Sequence, residues 1–256
     1  MDTSSMHEQR VDIGGYALYM RGAGTGSPSV IMDAGGTDTA ESWATILPSV
    51  ARFTYACAYD RAGLGRSERG PVPTTSEQIV NELHRLLSHA HMAGPYVLVG
   101  HSFGGLNTRL YAHLYPDEVA GMVLVDPAHE DMYASMDTTA IPTIDFEASA
   151  QQVKACGEKR ESWLLIVLSH GLPVPYLPEE VTSMWLPCHK RLARLSSNSI
   201  HVIVPRSGHF MQADQPDIVI EAIRQVVEAV RRQPHTLQPC EEVFSPFEGI
   251  CVSANE

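Results

Sequence analysis

The sequence of 256 residues predicts an α/β fold in which a mostly parallel sheet carries helices on both faces. Three observations lead to this prediction. Short unbroken apolar runs, typical of buried parallel strands, recur along the chain. Amphipathic helical segments alternate with these runs, and no internal repeat is visible. The length suits one large domain, because α/β folds of this size are often undivided.

The predicted elements of the N-terminal half follow this alternation. RVDI and YALYMR flank Gly14-Gly15 and predict an antiparallel hairpin. A helix is expected around 41–51, and Thr75 with Gln78 forms a capping box that starts the next helix. The remaining strands of this half are predicted at SVIMDA (29–34), FTYACAYD (53–60) and YVLVG (96–100).

The C-terminal half contains an insertion and a tail that break the pattern. Strands are predicted at VAGMVLVD (119–126), WLLIVL (163–168) and HVIVP (201–205), and helices at 103–115, 179–196 and from Asp214 onward. Residues 128–160 lack a clear strand and predict a lid between two strands. We therefore expect a single domain over 1–232, with a lid insertion at about 128–160 and an irregular tail over 233–256.

Composition limits the cellular setting and the partners. The formal charge of −12 argues against nucleic acid or an anionic membrane surface as a partner. MDTSSMHEQR does not resemble a signal peptide, and no stretch reaches the roughly eighteen apolar residues of a membrane span. The five cysteines are odd in number and form no CxxC pair, which predicts a cytoplasmic protein with free thiols. Pairing of Cys240 with Cys251 in an oxidising compartment is the alternative.

The strongest chemical signal is Gly100-His101-Ser102-Phe103-Gly104, which follows a predicted strand and opens a helix. G-x-S-x-G in this context predicts a nucleophile elbow, a sharp turn that holds the serine hydroxyl above the sheet. The flanking glycines avoid collisions on that turn, and the helix N-terminus favours a developing negative charge. The alternative is a plain glycine-rich turn. We expect His101 to pack beside the strand.

A nucleophilic serine needs a general base, and twelve histidines are candidates. The base is expected between the last strand and the last helix. His209 occupies that position, after Ser207-Gly208. The alternatives are His129, His170, His189 and His201.

An oxyanion requires backbone N–H donors, of which one is expected from the residue after the nucleophile. That residue is Phe103. The second donor should come from the loop after SVIMDA, where Gly36 is the best candidate because a glycine allows close approach to the substrate. Gly36 as a simple turn residue is the alternative.

Taken together, these motifs resemble the α/β-hydrolase superfamily, in particular its esterase and lipase-like branch, over about residues 10–232. The resemblance rests on the elbow, the DAGG loop, YDRAGLGRS (59–67), VLVDPAHE (123–130) and SGHF. It implies an eight-stranded sheet, a Ser–acid–His triad, hydrolysis of esters or related acyl bonds, and no cofactor or metal. Many members carry His-Gly in the oxyanion loop, where this sequence has Ala34-Gly35.

The acid of the triad departs from the usual family position. The family usually places it after the strand that follows the lid, where this sequence has Val174 without an acidic neighbour. Asp126 ends the preceding strand, at the sheet edge where such sites assemble, and pancreatic-type lipases resemble this arrangement. We predict Asp126 as the acid, with a turn cap before Pro127 as the alternative role. The other acidic candidates are Glu130, Asp131, Asp145 and Glu179.

Several further residues are expected near the site in supporting roles. If Asp126 is the acid, His170 and Ser169 are expected to line the pocket instead. Met184 and Trp185 are expected to tune the acyl preference if they face the pocket. Asp60 and Arg61 in YDRAGLGRS are expected to tie the neighbouring loop in place through an ion pair or backbone hydrogen bonds.

The sequence thus predicts a serine hydrolase of small-molecule carboxylic esters, with lactones as a further class. One alternative is an aminopeptidase-like amide hydrolase whose acidic lid binds a substrate ammonium. The lid acids are Glu130, Asp131, Asp137, Asp145 and Glu147. The other alternative is a ligand-binding protein of low turnover on the same scaffold, because fold does not fix function.

Overall fold

The computed structural model describes residues 6–136, 138–157, 161–175, 177 and 179–252. Its centre is a nine-stranded sheet in the order β1-β2-β4-β3-β5-β6-β7-β8-β9, parallel from β4 to β8 and antiparallel at β1, β2 and β9. The strands are β1 (His7–Asp12), β2 (Ala17–Ala23), β3 (Ser29–Asp33), β4 (Ala56–Tyr59), β5 (Tyr96–His101), β6 (Val119–Val125), β7 (Glu161–His170), β8 (Ser196–Val204) and β9 (Ile250–Val252).

Helices cover both faces of the sheet, which confirms the predicted α/β class. The α-helices are α1 (Leu47–Val50), α2 (Ser76–His89), α3 (Gly104–Leu114), α4 (Phe146–Ala155), α5 (Glu179–Ala193), α6 (Met211–Asp214), α7 (Pro216–Arg231) and α8 (Cys240–Phe244). The Thr75 side chain accepts a hydrogen bond from the backbone N–H of Gln78, so α2 begins where its capping signal predicts.

Two apolar layers enclose the central strands. On one face, α7 buries Val219, Ile223 and Val226 against the sheet. On the other face, α2 and α3 bury Leu83 and Leu106 among the same strands. Strand β5 is buried on both sides, so its carboxyl end is a rigid platform for the residues that follow it.

The described part of the predicted lid, 128–160, contains a 3-10 helix at Glu130–Ser135 and helix α4. Residues 137 and 158–160 of that segment lie outside the described residues. Helix α4 buries Phe146 and Val153 against the face formed by α2 and α3. The insertion therefore packs on the sheet's helical layer above the carboxyl ends of the strands.

The ninth strand corrects two predictions, an eight-stranded sheet and an irregular tail at 233–256. Residues 240–244 of the tail form α8, and Phe244 of that helix is fully buried in the core. Strand β9 then pairs antiparallel with β8, where Val202 faces Cys251. Within the described part of the tail, 233–252, β9 covers the free edge of β8, which would otherwise expose unpaired backbone groups.

The prediction of five free thiols is also wrong. Cys240 and Cys251 form a disulfide between the start of α8 and β9, whereas Cys57, Cys156 and Cys188 are free. The physical reason is the pairing of β9 with β8, which brings the two Cα atoms to 6.0 Å, a separation that a disulfide can span.

Candidate active site

Ser102 lies on the sharp turn between β5 and α3. Its φ of 51° falls in the left-handed region, a conformation that is costly for a residue with a side chain. A Cβ atom on Gly100 would lie 2.5 Å from the carbonyl oxygen of Gly104, and one on Gly104 would lie 2.4 Å from that of Asp33. Only glycine fits at these two positions, which is the elbow geometry predicted from the sequence.

Ser102, Gly36, Phe103 and His209 border one cavity of about 350 Å³. The backbone N–H groups of Gly36 and Phe103 have no acceptor among the residues that the structure describes. Two unpaired donors beside a serine hydroxyl match the requirement of an oxyanion site. A larger cavity of about 560 Å³ lies between β8 and the tail and contains none of these four residues.

Arg61 holds the loop that carries Gly36. Its Nη1 donates to Asp33 Oδ1 at 2.6 Å and to the carbonyl of Ala34 at 2.8 Å, while Nη2 donates to the carbonyls of Gly35 and, at 2.7 Å, Gly36. Arg61 and Asp33 are both buried. Because three successive carbonyls bind the guanidinium, the orientation of the loop's peptide groups is fixed.

Asp60, the other half of the predicted pair, binds backbone instead of arginine. Its carboxylate accepts from the N–H groups of Ala40 and Arg66 at 2.7 and 2.8 Å. Both residues therefore have the structural roles expected from the sequence, although the ion pair joins Arg61 to Asp33.

Asp126 follows β6 and is fully buried, with a φ of 45°. Its Oδ2 accepts a hydrogen bond from His209 Nδ1 at 2.6 Å. Burial alone would raise the pKa of Asp126, but hydrogen bonds from His170 and His209 lower it far below the ordinary aspartate value. The carboxyl is therefore ionised at neutral pH.

His209 lies between β8 and α6, where the base is predicted. Its backbone carbonyl accepts a hydrogen bond from His101 Nε2 at 2.8 Å, and burial lowers the pKa of His101 to about 3. His101 is thus a neutral, buried support of the His209 loop. In the described chain, the Ser102 hydroxyl makes no hydrogen bond to His209, as is common in sites without substrate.

The sequence is similar to those of known proteins. A family profile described as alpha/beta hydrolase fold matches residues 28–152. The uncharacterized protein YqjL of Bacillus subtilis is 29% identical over 237 residues, which cover 87% of this chain and 93% of that protein.

Solved structures agree with this match. A serine hydrolase involved in carbazole degradation, CarC, has a TM-score of 0.67 at 19% identity and covers 88% of this chain and 99% of its own. The enol-lactonase from Burkholderia xenovorans LB400 has a TM-score of 0.64 at 15% identity, over 86% of this chain and 100% of its own. The chain has the alpha/beta hydrolase fold.

The other acidic candidates bind groups away from His209. Glu130 binds Arg109 at 2.7 and 3.1 Å, and Asp131 binds Arg191 at 2.6 Å. Asp145 caps α4 through the N–H of Ala148. Glu179 is exposed in the first turn of α5, and none of these four carboxylates contacts His209 in the described structure.

The other candidate histidines also lie away from the serine. His129, His170, His189 and His201 do not border the cavity that contains Ser102. His129 is buried beside Glu130, and burial lowers its pKa to about 4. Among the described residues, no group of three or more His, Cys, Asp or Glu side chains is arranged to hold a metal ion.

A chain of buried polar groups lies behind Asp126. His189 Nε2 donates to the Pro127 carbonyl at 2.7 Å, so its Nδ1 accepts from the Ser169 hydroxyl at 2.7 Å. Ser169 Oγ in turn accepts from His201 Nε2 at 2.7 Å. Burial lowers the pKa of His189 to about 4 and that of His201 to about 3. Both rings are therefore neutral and hold the backbone that follows Asp126.

This arrangement predicts loss of stability in mild acid. A histidine whose folded-state pKa lies below its unfolded value binds fewer protons when folded, so the free energy of unfolding falls as the pH drops below about 6.5. The fall should continue to pH 4 for His189 and pH 3 for His201. Each ring contributes a slope of up to about 1.4 kcal/mol per pH unit.

Urea unfolding between pH 8 and pH 5 measures this slope. His201→Gln keeps an N–H donor for Ser169 and cannot titrate, so its slope should be shallower than that of the wild type. His113→Gln, at an exposed position of α3, should leave the slope unchanged. An equal slope in His201→Gln and the wild type would contradict the assignment.

Ser169 and His170, expected to line the pocket, do not border the cavity that contains Ser102, and neither do Met184 and Trp185. His170 and Trp185 contact the acid instead. Both donate hydrogen bonds to Asp126. The signal for His170 was available, because β6 and β7 are neighbouring parallel strands and their carboxyl ends meet. For Trp185 no local signal exists, since the approach of α5 to β6 is set by tertiary packing.

Proposed function

We propose that this protein is a serine hydrolase that cleaves carboxylic esters, including lactones, through an acyl-enzyme. One observation carries the proposal. The Asp126–His209 hydrogen bond of 2.6 Å ends at the same cavity that the Ser102 hydroxyl and the N–H groups of Gly36 and Phe103 border. This set of groups is what acyl transfer requires.

In the proposed reaction, Ser102 Oγ attacks the ester carbonyl while His209 Nε2 takes the hydroxyl proton. Asp126 fixes the His209 tautomer with the proton on Nδ1 and stabilises the imidazolium. The N–H groups of Gly36 and Phe103 bind the oxyanion, and the alkoxide leaves with the proton from His209. Water, deprotonated by His209, then attacks the acyl-enzyme and releases the carboxylic acid.

The cavity walls support an apolar acyl or alcohol group of modest size. Side chains that contribute to the wall include Tyr133, Phe146, Leu177 and Phe210. Phe146 comes from the lid, packed against Phe103 with ring centroids 5.1 Å apart. A cavity of about 350 Å³ lies at the small end of the range for small-molecule sites. The enol-lactonase similarity in fold is consistent with lactones as a substrate class.

The experiment that tests the proposal is hydrolysis of p-nitrophenyl esters of rising acyl length, with the matching anilides beside them. We expect ester turnover that is highest for short to medium acyl chains and declines for long chains that the cavity cannot hold. Turnover of anilides without ester turnover would favour the amide hydrolase, and tight ligand binding without any turnover would favour the binding protein.

The negative charge of Asp38 predicts which substrates the cavity disfavours. Asp38 borders the cavity with its side chain 31% exposed, and no Lys or Arg among the described residues borders it. His101, whose Nδ1 lies 3.9 Å from the Asp38 carboxylate, stays neutral because burial lowers its pKa to about 3. Among the described residues no Lys or Arg forms an ion pair with Asp38, so its negative charge should disfavour anionic substrates.

Asp38→Asn should raise kcat/KM for an ester with a terminal carboxylate by about tenfold, because one repulsive charge is removed at short range. A neutral ester of the same length serves as the internal control and should change by less than about twofold. An equal change for both esters would show that Asp38 does not act through its charge.

The aminopeptidase-like alternative has less support from the lid. Glu130 and Asp131 are paired with arginines, and Asp145 caps a helix, so these acids are not available to a substrate ammonium. Asp137 lies outside the described residues. Asp38, at the oxyanion loop, is the carboxylate that such a substrate would meet.

Cellular setting and partners stay predictions. None of the described helices has the length and apolar character needed to cross a membrane. The disulfide between Cys240 and Cys251 is of a kind favoured by oxidising compartments, and so it argues against the cytoplasmic prediction. Alkylation of free thiols before lysis, followed by mass analysis of the two cysteine peptides, distinguishes the two settings.

A further inference from the structure

We propose that His170 and Trp185 are positioning residues that hold Asp126 by hydrogen bonds. Because His170 and His209 then share one carboxylate, the hydrogen bond between Asp126 and the base His209 is weakened. The inference rests on the proposed function, because it assigns roles relative to the base His209. His170 is a second histidine that binds Asp126, and it lies at the end of the neighbouring strand β7.

The contacts are explicit. His170 Nδ1 lies 2.9 Å from both Asp126 carboxylate oxygens, and the His170 backbone N–H donates to Oδ1 at 3.0 Å. Trp185 Nε1, from α5, donates to the same Oδ1 at 2.9 Å. Oδ2 accepts a hydrogen bond from His209 Nδ1 at 2.6 Å. Asp126 thus accepts from four donors, and three of them belong to residues other than the base.

These donors fix the plane of the carboxylate. Oδ1 is held by two N–H groups of His170 and by the indole, so rotation about χ2 would break three hydrogen bonds at once. A carboxylate that cannot rotate keeps Oδ2 directed at His209 Nδ1. Asp126 and His209 therefore stay aligned without substrate, the pre-organisation that acyl transfer needs.

The same donors also reduce the electrostatic stabilisation that the Asp126 carboxylate gives to a protonated base. Hydrogen bonds to a carboxylate make it a weaker acceptor for any further donor, and a protonated His170 would repel a protonated His209 across one buried anion. Both effects disfavour the imidazolium of His209. Removal of the His170 or Trp185 donor should therefore strengthen the hydrogen bond between Asp126 and His209.

The titratable groups that face this cluster come from several elements. Asp126 belongs to the end of β6, His170 to β7, His189 to α5, His101 to β5 and His209 to the loop after β8. His101 and His189 are buried and neutral because burial lowers their pKa values to about 3 and about 4. Among the described titratable side chains, His170 and His209 are the two that donate hydrogen bonds to Asp126, beside the uncharged indole of Trp185.

Two substitutions of His170 separate hydrogen bonding from shape. His170→Asn keeps an N–H donor near the position of Nδ1, whereas His170→Phe keeps the ring shape and loses the donor. We expect kcat within about threefold of the wild type for His170→Asn and a loss of at least about tenfold for His170→Phe. The acid limb of kcat/KM should move up by about one pH unit in His170→Phe and by less in His170→Asn.

Trp185→Phe keeps an aromatic ring and removes only the indole donor, so it provides a second measurement that does not depend on His170→Phe folding. Its acid limb should also move up. His113→Asn and His113→Phe, at an exposed position of α3, are the matched controls. Wild-type kinetics in His170→Phe, or equal impairment of His170→Asn and His170→Phe, would overturn the proposal.

A readout without turnover separates this proposal from the esterase assignment. In ¹⁵N-histidine NMR spectra, His170 should carry a proton on Nδ1, the ring nitrogen that faces Asp126. The pKa of His209 should rise in His170→Phe. If esters are not hydrolysed but these shifts occur, the esterase assignment fails and the shared carboxylate stands. An unchanged His209 pKa in both His170→Phe and Trp185→Phe would refute the sharing itself.

Discussion

Replacement of Ser102 by alanine is expected to lower kcat for p-nitrophenyl esters by about 10⁶-fold, because removal of the nucleophile eliminates the acyl-enzyme path. The residual rate would come from the oxyanion site and substrate binding alone. Binding should persist, since the N–H groups of Gly36 and Phe103 do not depend on the hydroxyl. The measurement is steady-state turnover, with active-site titration of the wild type to fix the concentration of working enzyme.

The matched control is Ser88→Ala, at an exposed position of α2. It should show wild-type kcat. The left-handed φ of 51° at Ser102 is no easier for alanine than for serine, so the Ser102→Ala fold should be checked by its thermal midpoint. A Ser102→Ala protein that folds and retains more than about one-hundredth of the activity would show that another residue is the nucleophile.

Asp126→Asn should lower kcat by about 10⁴-fold, as expected when the acid of a Ser–His–acid triad becomes an amide. The asparagine NH₂ group cannot accept hydrogen bonds, so one side of residue 126 would oppose its N–H donors. If NH₂ faces His209 Nδ1, the ring is stabilised in the wrong tautomer. If it faces the other way, the donors of His170 and Trp185 lose their acceptor.

The control for this variant is Asp117→Asn, at an exposed position before β6. Because hydrogen bonds hold the pKa of Asp126 far below its ordinary value, the acid limb of wild-type activity should not report this carboxyl. Near-normal activity of Asp126→Asn would show that another residue is the acid. The next candidates would be Glu130, Asp131, Asp145 and Glu179.

The features that the sequence predicts well are those encoded by short segments. The G-x-S-x-G turn is steric, and the contacts that exclude side chains at Gly100 and Gly104 are contacts within the turn and with the adjacent strand end. Asp126 could be placed near His209 because parallel strands bring their carboxyl ends to one edge of the sheet. The buried face of a helix follows from its apolar stripe, as for α2, where Ile79, Leu83 and Leu86 are buried.

The features that the sequence does not predict depend on distant pairing. Strand β9 is three residues long and pairs with β8 only because α8 buries Val243 and Phe244 in the core. Strand β7 was predicted to end at 168 but continues to His170, since Ser169 and His170 pair with Ile203 and Val204. That extension is what brings His170 to Asp126, and no local pattern in WLLIVLSH encodes it.

Trapping of the acyl-enzyme tests the central claim most directly. Mixing the protein with p-nitrophenyl acetate, quenching in acid within the first turnover and digesting the chain should give one acetylated peptide, the one that contains Ser102. The adduct should be absent from Ser102→Ala and should accumulate in proportion to the burst of p-nitrophenol. Sustained ester turnover without a covalent adduct, or an adduct on any other residue, would contradict the assignment of Ser102 as the nucleophile.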